Sequence, residues 1–203
     1  MGELDPYEVV GSTRVFDGKV ITVRVDDVRM SDGQVVKREV VAHPGAVAIV
    51  ALDDDGKVVL VNQYRPAVAA RLDELPAGLL DIDGEPPLEA AKRELAEETG
   101  LTAQEWTVLI DLHSSPGFSN EAVRIYLARG ISAGSVSDFT AEHEELTMTA
   151  YREPLSQAVR RVLAGDITNS SAVAGILAAV HGRATGWRDL RPPDARWPAR
   201  PAR

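Results

Sequence analysis

The chain has 203 residues, of which 44% are hydrophobic and 26% charged, and its formal net charge is −9. This length and apolar content suffice for one sizeable core with a smaller subdomain, which excludes a chain that is disordered throughout. The chain contains no cysteine, which excludes disulfides, thiolate zinc sites and a cysteine nucleophile. The acidic balance argues against a nucleic-acid partner, because binding to a phosphate backbone needs clustered Lys and Arg.

The start of the chain and its apolar runs predict a cytoplasmic protein without a membrane partner. The first ten residues are acidic and lack the apolar segment of a secretory signal. The longest apolar runs, at residues 46–52 and 172–180, are shorter than the roughly 20 residues that a membrane-spanning helix requires.

Residues 1–44 are interpreted as a small antiparallel β subdomain. Asp-Gly pairs at residues 17–18 and 32–33 are typical of hairpin turns. They separate three stretches rich in β-branched residues, at 9–16, 19–30 and 34–43. Hairpins of this size cannot bury a core of their own, so we expect the subdomain to take part in a homodimer.

Residues 45–184 are predicted to form an α/β (α+β) domain in which a mixed β-sheet is sandwiched between helices. Strands are expected at residues 45–52, 58–66, 105–113, 121–129 and 146–152. The first two would be the central strands of one sheet. A polar loop is expected at residues 130–145.

Two helices are predicted near the end of the chain, at residues 154–166 and 171–185. Pro154 suits the start of the first helix, and residues 168–170 offer N-cap candidates for the second. The last segment, residues 185–203, is rich in proline and arginine and is expected to be a disordered or loosely docked tail. A nucleic-acid-binding arm is the alternative that we favour less.

Residues 87–99 are predicted to form a helix of about three turns. Leu88, Ala91 and Leu95 recur at helical intervals, and Gly100 follows where a helix often ends. Leu101 resumes apolar character directly afterwards.

Three glutamates of this helix are candidates for a divalent-metal site. Because residues three and four apart share a helix face, Glu94, Glu97 and Glu98 carry their carboxylates on one side. Arg93, one turn before Glu97, neutralises only part of this charge. Carboxylate oxygens with no sulfur or imidazole nearby favour Mg²⁺ or Mn²⁺ over zinc. A solvated acidic helix face is the alternative, but it does not explain the spacing to Glu85.

The helix and its surroundings resemble the Nudix box, the signature of Nudix hydrolases. The positions of this chain that match the box are Glu85, Arg93, Glu94, Glu97, Glu98, Gly100 and Leu101. One departure is that six residues, instead of the family's five, separate Gly78 from Glu85, and the extra residue falls in a loop. The resemblance covers roughly residues 45–150 and implies the Nudix fold.

Three further features resemble the ADP-ribose pyrophosphatase subfamily. Pro116 stands fifteen residues after Leu101, which is close to the subfamily's spacing. The segments NQYRP at 62–66 and ELPAGLLD at 74–81 are similar to subfamily motifs. A β-rich segment ahead of the Nudix domain also fits, and the resemblance implies that it is swapped between the protomers of a homodimer.

The resemblance implies a catalytic centre with two or three Mg²⁺ ions, or Mn²⁺ in their place. Glu94 and Glu98 would be metal ligands, and Glu97 would support a second or third ion. The backbone carbonyl of Ala77 would complete the site. Arg93 belongs to the same catalytic set.

The resemblance also implies four substrate-binding residues. Arg65 would contact the substrate, and Glu121 would lie beside the diphosphate or the ribose. Gly117 belongs to the loop that begins near Pro116, and Arg38 would act across the dimer interface. The alternatives are a surface ion pair for Arg65 and a plain turn at Pro116 and Gly117.

A loop glutamate after the box is expected to act as the general base that takes the proton of the attacking water. The candidates are Glu142, Glu144 and Glu145, with Glu145 the first choice and Glu144 the second.

The predicted reaction is hydrolysis of ADP-ribose to AMP and ribose 5-phosphate, with a small nucleoside diphosphate as substrate. The first alternative is the same chemistry on another nucleotide sugar or a dinucleoside polyphosphate. The second is a non-catalytic nucleotide sensor, which the intact set of box glutamates disfavours. Four histidines lie far apart in sequence and are interpreted as packing or surface residues: His43, His113, His143 and His181.

Overall fold

The computed structural model describes residues 7–134 and 147–201, and these segments contain ten strands, three α-helices and one 3-10 turn at Pro66–Val68. The strands are β1 (Glu8–Asp17), β2 (Thr22–Arg29), β3 (Val35–Ala42), β4 (Ala46–Ala51), β5 (Lys57–Arg65), β6 (Ala70–Glu74), β7 (Ala77–Leu79), β8 (Leu101–His113), β9 (Ala122–Ala133) and β10 (Thr149–Pro154). The helices are α1 (Pro87–Thr99), α2 (Leu155–Ala164) and α3 (Ser170–Ala184). Within these segments, none of the helices has the length and apolar character needed to cross a membrane.

The first three strands form an antiparallel sheet in the order β1-β2-β3. The buried carboxylate of Asp26 stabilises this sheet, because it accepts hydrogen bonds from Ser12 Oγ at 2.6 Å and from Arg24 Nε at 3.0 Å. Many apolar side chains of the sheet and its turns remain exposed: Tyr7, Val9, Val10, Val15, Phe16, Val20 and Val35. The described residues of one protomer therefore leave apolar surface on this sheet uncovered.

The end of β3 joins the N-terminal sheet to the loop at residues 114–121. The Val41 N–H donates to Phe118 O at 2.7 Å, and Val41 O accepts from the Asn120 N–H at 3.2 Å. The His43 N–H donates to Asn120 Oδ1 at 2.8 Å. These bonds hold the loop and the start of the following domain in a defined arrangement.

The remaining strands form two sheets. β4 lies in the mixed sheet β7-β4-β9-β8, where it runs parallel to β9, and β5 is the middle strand of the antiparallel sheet β10-β5-β6. The expectation that β4 and β5 are central strands of one sheet is wrong, because β6 and β10 occupy both edges of β5. The short strands β6 and β7 have no counterpart in the sequence-based prediction.

Helices cover both faces of the mixed sheet. The side chains of β4 alternate between two cores, with Val47 and Ile49 in the core that includes α1, and Ala48 and Val50 in the core that includes α2 and α3. All four residues are fully buried. This arrangement confirms the predicted α/β class and the sheet sandwiched between helices.

Strand β9 is longer than the sequence predicts. A loop is expected from residue 130, but β9 continues to Ala133, because Ile131 and Ala133 pair with Ala103 and Leu101 of β8. Cross-strand pairing therefore overrides the small and polar composition of this stretch.

The C-terminal segment is docked as far as it is described, so the expectation of a disordered or loosely docked tail is wrong for residues 185–201. The Val108 N–H donates to Arg191 O at 3.0 Å. Arg124 of β9, which is 2% exposed, donates to the carbonyls of Ala195 at 2.7 Å and Arg196 at 3.2 Å, and the Trp197 ring lies 4.7 Å from its guanidinium. A buried guanidinium needs these acceptors, and the tail supplies them.

Candidate active site

Helix α1 buries its apolar face in the core and presents its acidic face to the site, as its residue spacing predicts. Ala90, Ala91 and Leu95 are fully buried in the core. The helix ends at Gly100, which adopts φ 66° and donates its N–H to Ala96 O at 2.8 Å. The acidic face of the last turns therefore has a fixed direction.

Arg93 lies among the carboxylates of this face. Its Nε and Nη2 donate to the two oxygens of Glu85 at 3.0 Å and 3.1 Å. Its Nη1 donates to Glu94 Oε1 at 2.7 Å and to Glu97 Oε2 at 2.9 Å. The hydrogen bonds that Arg93 donates to Glu85 in particular hold the pKa of Arg93 above its usual value. The Arg93 guanidinium thus orients three carboxylates. Glu85 is one of them, despite the extra residue in the loop that precedes it.

Glu98 lies on the same face and points to β7. Its Oε2 accepts the Ala77 N–H at 3.0 Å, so the Ala77 peptide and the Glu98 carboxyl are direct neighbours. Burial raises the pKa of Glu98 to about 8, and the charge of Glu94 acts in the same direction. A cation beside Glu98 would relieve this cost of charging it.

Gly78 leaves room for the carboxylate of Glu94. A Cβ atom at this position would lie 2.0 Å from Glu94 Cδ, so any side chain here would displace the carboxylate. The glycine of the motif therefore has a steric role in the site.

In the conformations described, residues 7–134 and 147–201 contain no group of three or more His, Asp or Glu side chains already arranged to hold a cation. Arg93 occupies part of the space between the carboxylates instead. The donor set nonetheless fits a hard divalent cation, because Glu94, Glu97 and Glu98 offer carboxylate oxygens. In addition, Glu98 is buried, and no basic side chain in the described part of the chain lies at hydrogen-bond distance from it.

A cavity of about 460 Å³ lies next to this cluster. Ala77 and Gly78 form the part of its wall that adjoins α1. The other polar or charged residues that line it are His43, Arg65, Glu74, Ser114, Glu121, Asn169, Ser170 and Ser171. Its volume is in the range of small-molecule sites.

Arg65 and Glu74 form a bidentate ion pair in the cavity wall. Arg65 Nε donates to Glu74 Oε1 at 2.9 Å, and Arg65 Nη2 donates to Glu74 Oε2 at 2.6 Å. Gln63 Nε2 donates to the same carboxylate at 3.2 Å. Glu74 is 2% exposed, whereas the Arg65 side chain is 44% exposed, so the guanidinium can meet a ligand while the carboxylate holds it.

The structure brings some of the predicted substrate-binding residues together. Arg65 and Glu121 line the same cavity. Gly117 and Arg38 are not among its lining residues in the described protomer, and Arg38 lies exposed on β3, where its Nη1 donates to Lys37 O at 2.9 Å. Both base candidates and Glu142 lie outside the described residues.

Sequence reasoning missed two cavity residues with distinctive environments. Glu74 opens the ELPAGLLD segment, but its burial could not be read from composition. His43 precedes the Pro44-Gly45 junction and was interpreted as an ordinary histidine. Its position beside a turn was the available signal, and only the packing shows that its ring lines the cavity.

Two domain families together match residues 7–164 of the chain. Residues 42–164 match the NUDIX domain, and residues 7–41 match the nucleoside diphosphate sugar hydrolase N-terminal domain. The chain therefore belongs to the Nudix hydrolase family. This confirms the family that the box predicts.

The chain is similar to curated relatives with a named activity. It is 51% identical over 201 residues to an ADP-ribose pyrophosphatase of Mycobacterium tuberculosis. The aligned region covers 99% of this chain and 95% of the relative. It is 43% identical over 125 residues to an ADP-ribose pyrophosphatase of Bacillus subtilis, covering 62% of this chain and 67% of the relative. The predicted likeness to the ADP-ribose pyrophosphatase subfamily is thus confirmed.

A solved structure described as an ADP compounds hydrolase shares the fold with a TM-score of 0.74. It covers 92% of this chain and 99% of that chain, at 24% sequence identity. This likeness confirms the Nudix fold.

Proposed function

We propose that this Nudix hydrolase cleaves the diphosphate of ADP-ribose to AMP and ribose 5-phosphate. The observation that carries the proposal is the acidic face of α1, with Glu94 and Glu98 packed against the Ala77-Gly78 wall of a cavity of about 460 Å³. The similarity over 99% of the chain to an ADP-ribose pyrophosphatase supports the choice of substrate.

Glu94, Glu97 and Glu98 are the residues that would hold Mg²⁺ or Mn²⁺, with the Ala77 carbonyl as a further donor. Two or three such ions, when bound, would offset the repulsion between the anionic diphosphate and an attacking water and would stabilise the leaving oxygens. Arg93 contributes by holding Glu85, Glu94 and Glu97 in place.

Arg65 and Glu121 would orient the substrate from the other walls of the cavity. A guanidinium that is already fixed by Glu74 can meet a phosphate oxygen or an aromatic base without further ordering. Gly117 would contribute from the same loop as Glu121. Arg38 would reach the site of the partner protomer in the proposed homodimer.

The proton of the attacking water would pass to Glu145, with Glu144 as the second candidate. Adjacent side chains in an extended loop point in opposite directions, so that one of the two would face the site. Glu145→Gln should lower kcat about a hundredfold or more with little change in KM, whereas Glu144→Gln should lose much less. Equal and mild losses in steady-state kinetics would show that the base lies elsewhere.

The substrate is tested by turnover of a panel containing ADP-ribose, ADP-glucose, GDP-mannose and a diadenosine polyphosphate, each with Mg²⁺ and with Mn²⁺. Release of AMP and ribose 5-phosphate from ADP-ribose, at a higher kcat/KM than for the other compounds, is the expected result. A higher kcat/KM for another nucleotide sugar or a dinucleoside polyphosphate would replace the substrate and keep the reaction. No turnover of any compound would favour a nucleotide sensor.

A further inference from the structure

His43 has no role in the scheme above, although its imidazole lies in the wall of the cavity. The residue follows β3 and precedes β4, and its side chain is only 13% exposed. A polar ring that is buried to this extent in a ligand-sized cavity needs hydrogen-bond partners, and a bound ligand can supply one.

The backbone fixes the tautomer of this ring. Nδ1 of His43 accepts the Gly45 N–H at 3.1 Å, so that Nδ1 carries no proton and the neutral ring has its proton on Nε2. The His43 N–H is held by Asn120 Oδ1 at 2.8 Å. Burial lowers the pKa of His43, which keeps the ring neutral near pH 7, although the charge of Glu121 acts in the opposite direction.

Glu121 lies opposite the protonated nitrogen. Its Oε1 is 3.9 Å from His43 Nε2. The backbone around this carboxylate is also held, because the Glu121 N–H donates to Ser119 Oγ at 3.1 Å and Glu121 O accepts the Ser114 N–H at 3.3 Å. A donor and an acceptor thus face each other in the same cavity.

The distance between them suits one intervening group. A direct N–H···O hydrogen bond spans about 3 Å, so 3.9 Å is too long for one, yet it is shorter than two hydrogen bonds in line. A single oxygen about 2.8 Å from both atoms fits in a bent arrangement. That oxygen must accept from Nε2–H and donate to a carboxylate, which a hydroxyl does and an ionised phosphate oxygen does not.

We propose that His43 is a specificity-determining residue, which together with Glu121 binds a hydroxyl group on the sugar of the substrate. The proposal rests on the proposed function, because it takes the cavity as the site of a nucleoside diphosphate sugar. His43 would therefore favour substrates whose second substituent on the diphosphate carries a hydroxyl group between His43 and Glu121, over substrates that lack this hydroxyl.

Two substitutions separate the two hydrogen bonds of the ring. His43→Asn places an amide oxygen near the Nδ1 position and keeps an acceptor for Gly45, but it cannot reach Glu121 as a donor. His43→Gln places an amide N–H near the Nε2 position and keeps that donor. His181→Asn is the matched control, because His181 is an exposed histidine on α3, outside the cavity.

The dissociation constant is measured by calorimetry in EDTA for ADP-ribose and for the methyl ester of ADP, which lacks the second sugar. His43→Asn should weaken ADP-ribose binding about tenfold, which is the usual effect of losing one hydrogen bond to a ligand. It should weaken binding of the methyl ester less than about twofold. His43→Gln should bind ADP-ribose within about threefold of the wild type. With Mg²⁺ present, the loss in His43→Asn should appear in KM more than in kcat.

An equal loss of affinity for both ligands in His43→Asn, or wild-type affinity for ADP-ribose, would overturn the assignment. So would a loss in His43→Gln as large as that in His43→Asn. A wild-type protein that binds ADP-ribose but fails to hydrolyse it with Mg²⁺ would refute the proposed function while the binding comparison still tests His43.

Discussion

At the scale of single residues, Glu98 shows how the environment prepares a carboxyl group for a cation. The hydrogen bond from the Ala77 N–H favours the charged form of the carboxyl group. Burial and the nearby charge of Glu94 disfavour that form. Burial has the larger effect, so the pKa rises to about 8. A group that is costly to charge in the free protein gains most when a divalent ion binds beside it.

Glu98→Gln should abolish most turnover while the fold survives, because it removes one charged ligand oxygen with almost no change in volume. We expect kcat to fall on the order of a thousandfold, which corresponds to several kcal/mol of barrier. Glu89→Gln on the same helix is the matched control, since Glu89 is exposed and pairs with Lys92. Retention of more than about a tenth of the wild-type kcat in Glu98→Gln would refute the metal assignment.

The raised pKa of Glu98 also predicts a pH dependence of stability in metal-free protein. The folded state binds this proton more tightly than the unfolded state, whose pKa is near 4.5. The stabilisation is therefore complete below about pH 4.5 and is lost as the pH rises through about 8. Relative to Glu98→Gln, the wild type in EDTA should lose on the order of 4 kcal/mol of unfolding free energy between about pH 5 and 8.5.

Urea titrations of the two proteins at a series of pH values measure this difference, and titrating groups that do not interact with Glu98 cancel in the comparison. Addition of Mg²⁺ at the upper end of the range should restore stability to the wild type more than to the variant. A difference in unfolding free energy that stays constant with pH would show that Glu98 is already ionised in the folded protein.

At the scale of secondary-structure elements, the C-terminal segment packs on strands β8 and β9 and satisfies the hydrogen-bonding groups of their buried side chains. Arg124 has a bidentate partner in Asp111, at 2.8 Å and 3.1 Å, and Arg191 of the tail donates to the same carboxylate at 2.7 Å. Tyr126 OH donates to Pro193 O at 3.3 Å. A cavity of about 430 Å³ is lined both by this segment and by Pro86 and Pro87 at the start of α1.

Trp197→Ala should destabilise the protein, because it removes a ring that packs over the buried guanidinium of Arg124 at 4.7 Å. We expect a loss of roughly 2 kcal/mol in unfolding free energy. Arg196→Ala is the control, since it removes an exposed side chain and keeps the carbonyl that accepts from Arg124. Chemical denaturation gives both values, and equal stability of the two variants would contradict the described docking.

At the scale of the whole molecule, the N-terminal sheet has the character of an interface. Its first strand is exposed along most of its length, and Val9, Val15 and Phe16 are 57%, 58% and 55% exposed. Apolar side chains in such numbers on a three-stranded sheet are unfavourable in water unless another surface covers them. A homodimer that pairs these sheets would bury them.

The full chain is therefore expected to sediment as a homodimer, and a chain that starts at Gly45 as a monomer with little activity. Val15→Glu should weaken the dimer, because it places a charge on the exposed apolar strand. Leu163→Glu is the matched control, since Leu163 is an equally apolar residue of α2 that is 77% exposed and lies outside the sheet. A stable and active monomer from the shortened chain would refute the dimer and leave Arg38 without a role across it.

The sequence predicted those parts of the fold that depend on local spacing. The helix at residues 87–99, its end at Gly100 and the start of α3 after Asn169 follow from periodicity and capping, which act within a few residues. The three-residue strand β7 and the extension of β9 to Ala133 carry no such signal. Their conformation depends on pairing with strands that are distant in the chain.

By itself, the sequence determined the class of the protein and the set of acidic residues on α1, because helix periodicity places Glu94, Glu97 and Glu98 on one face whatever surrounds them. Tertiary structure decided what lies opposite that face. It brought Ala77 and Gly78 against the glutamates, gave Arg124 its partners in the C-terminal segment, and placed His43 opposite Glu121 at 3.9 Å. These contacts join residues far apart in the chain, and only the packing of the sheets and helices sets their distances.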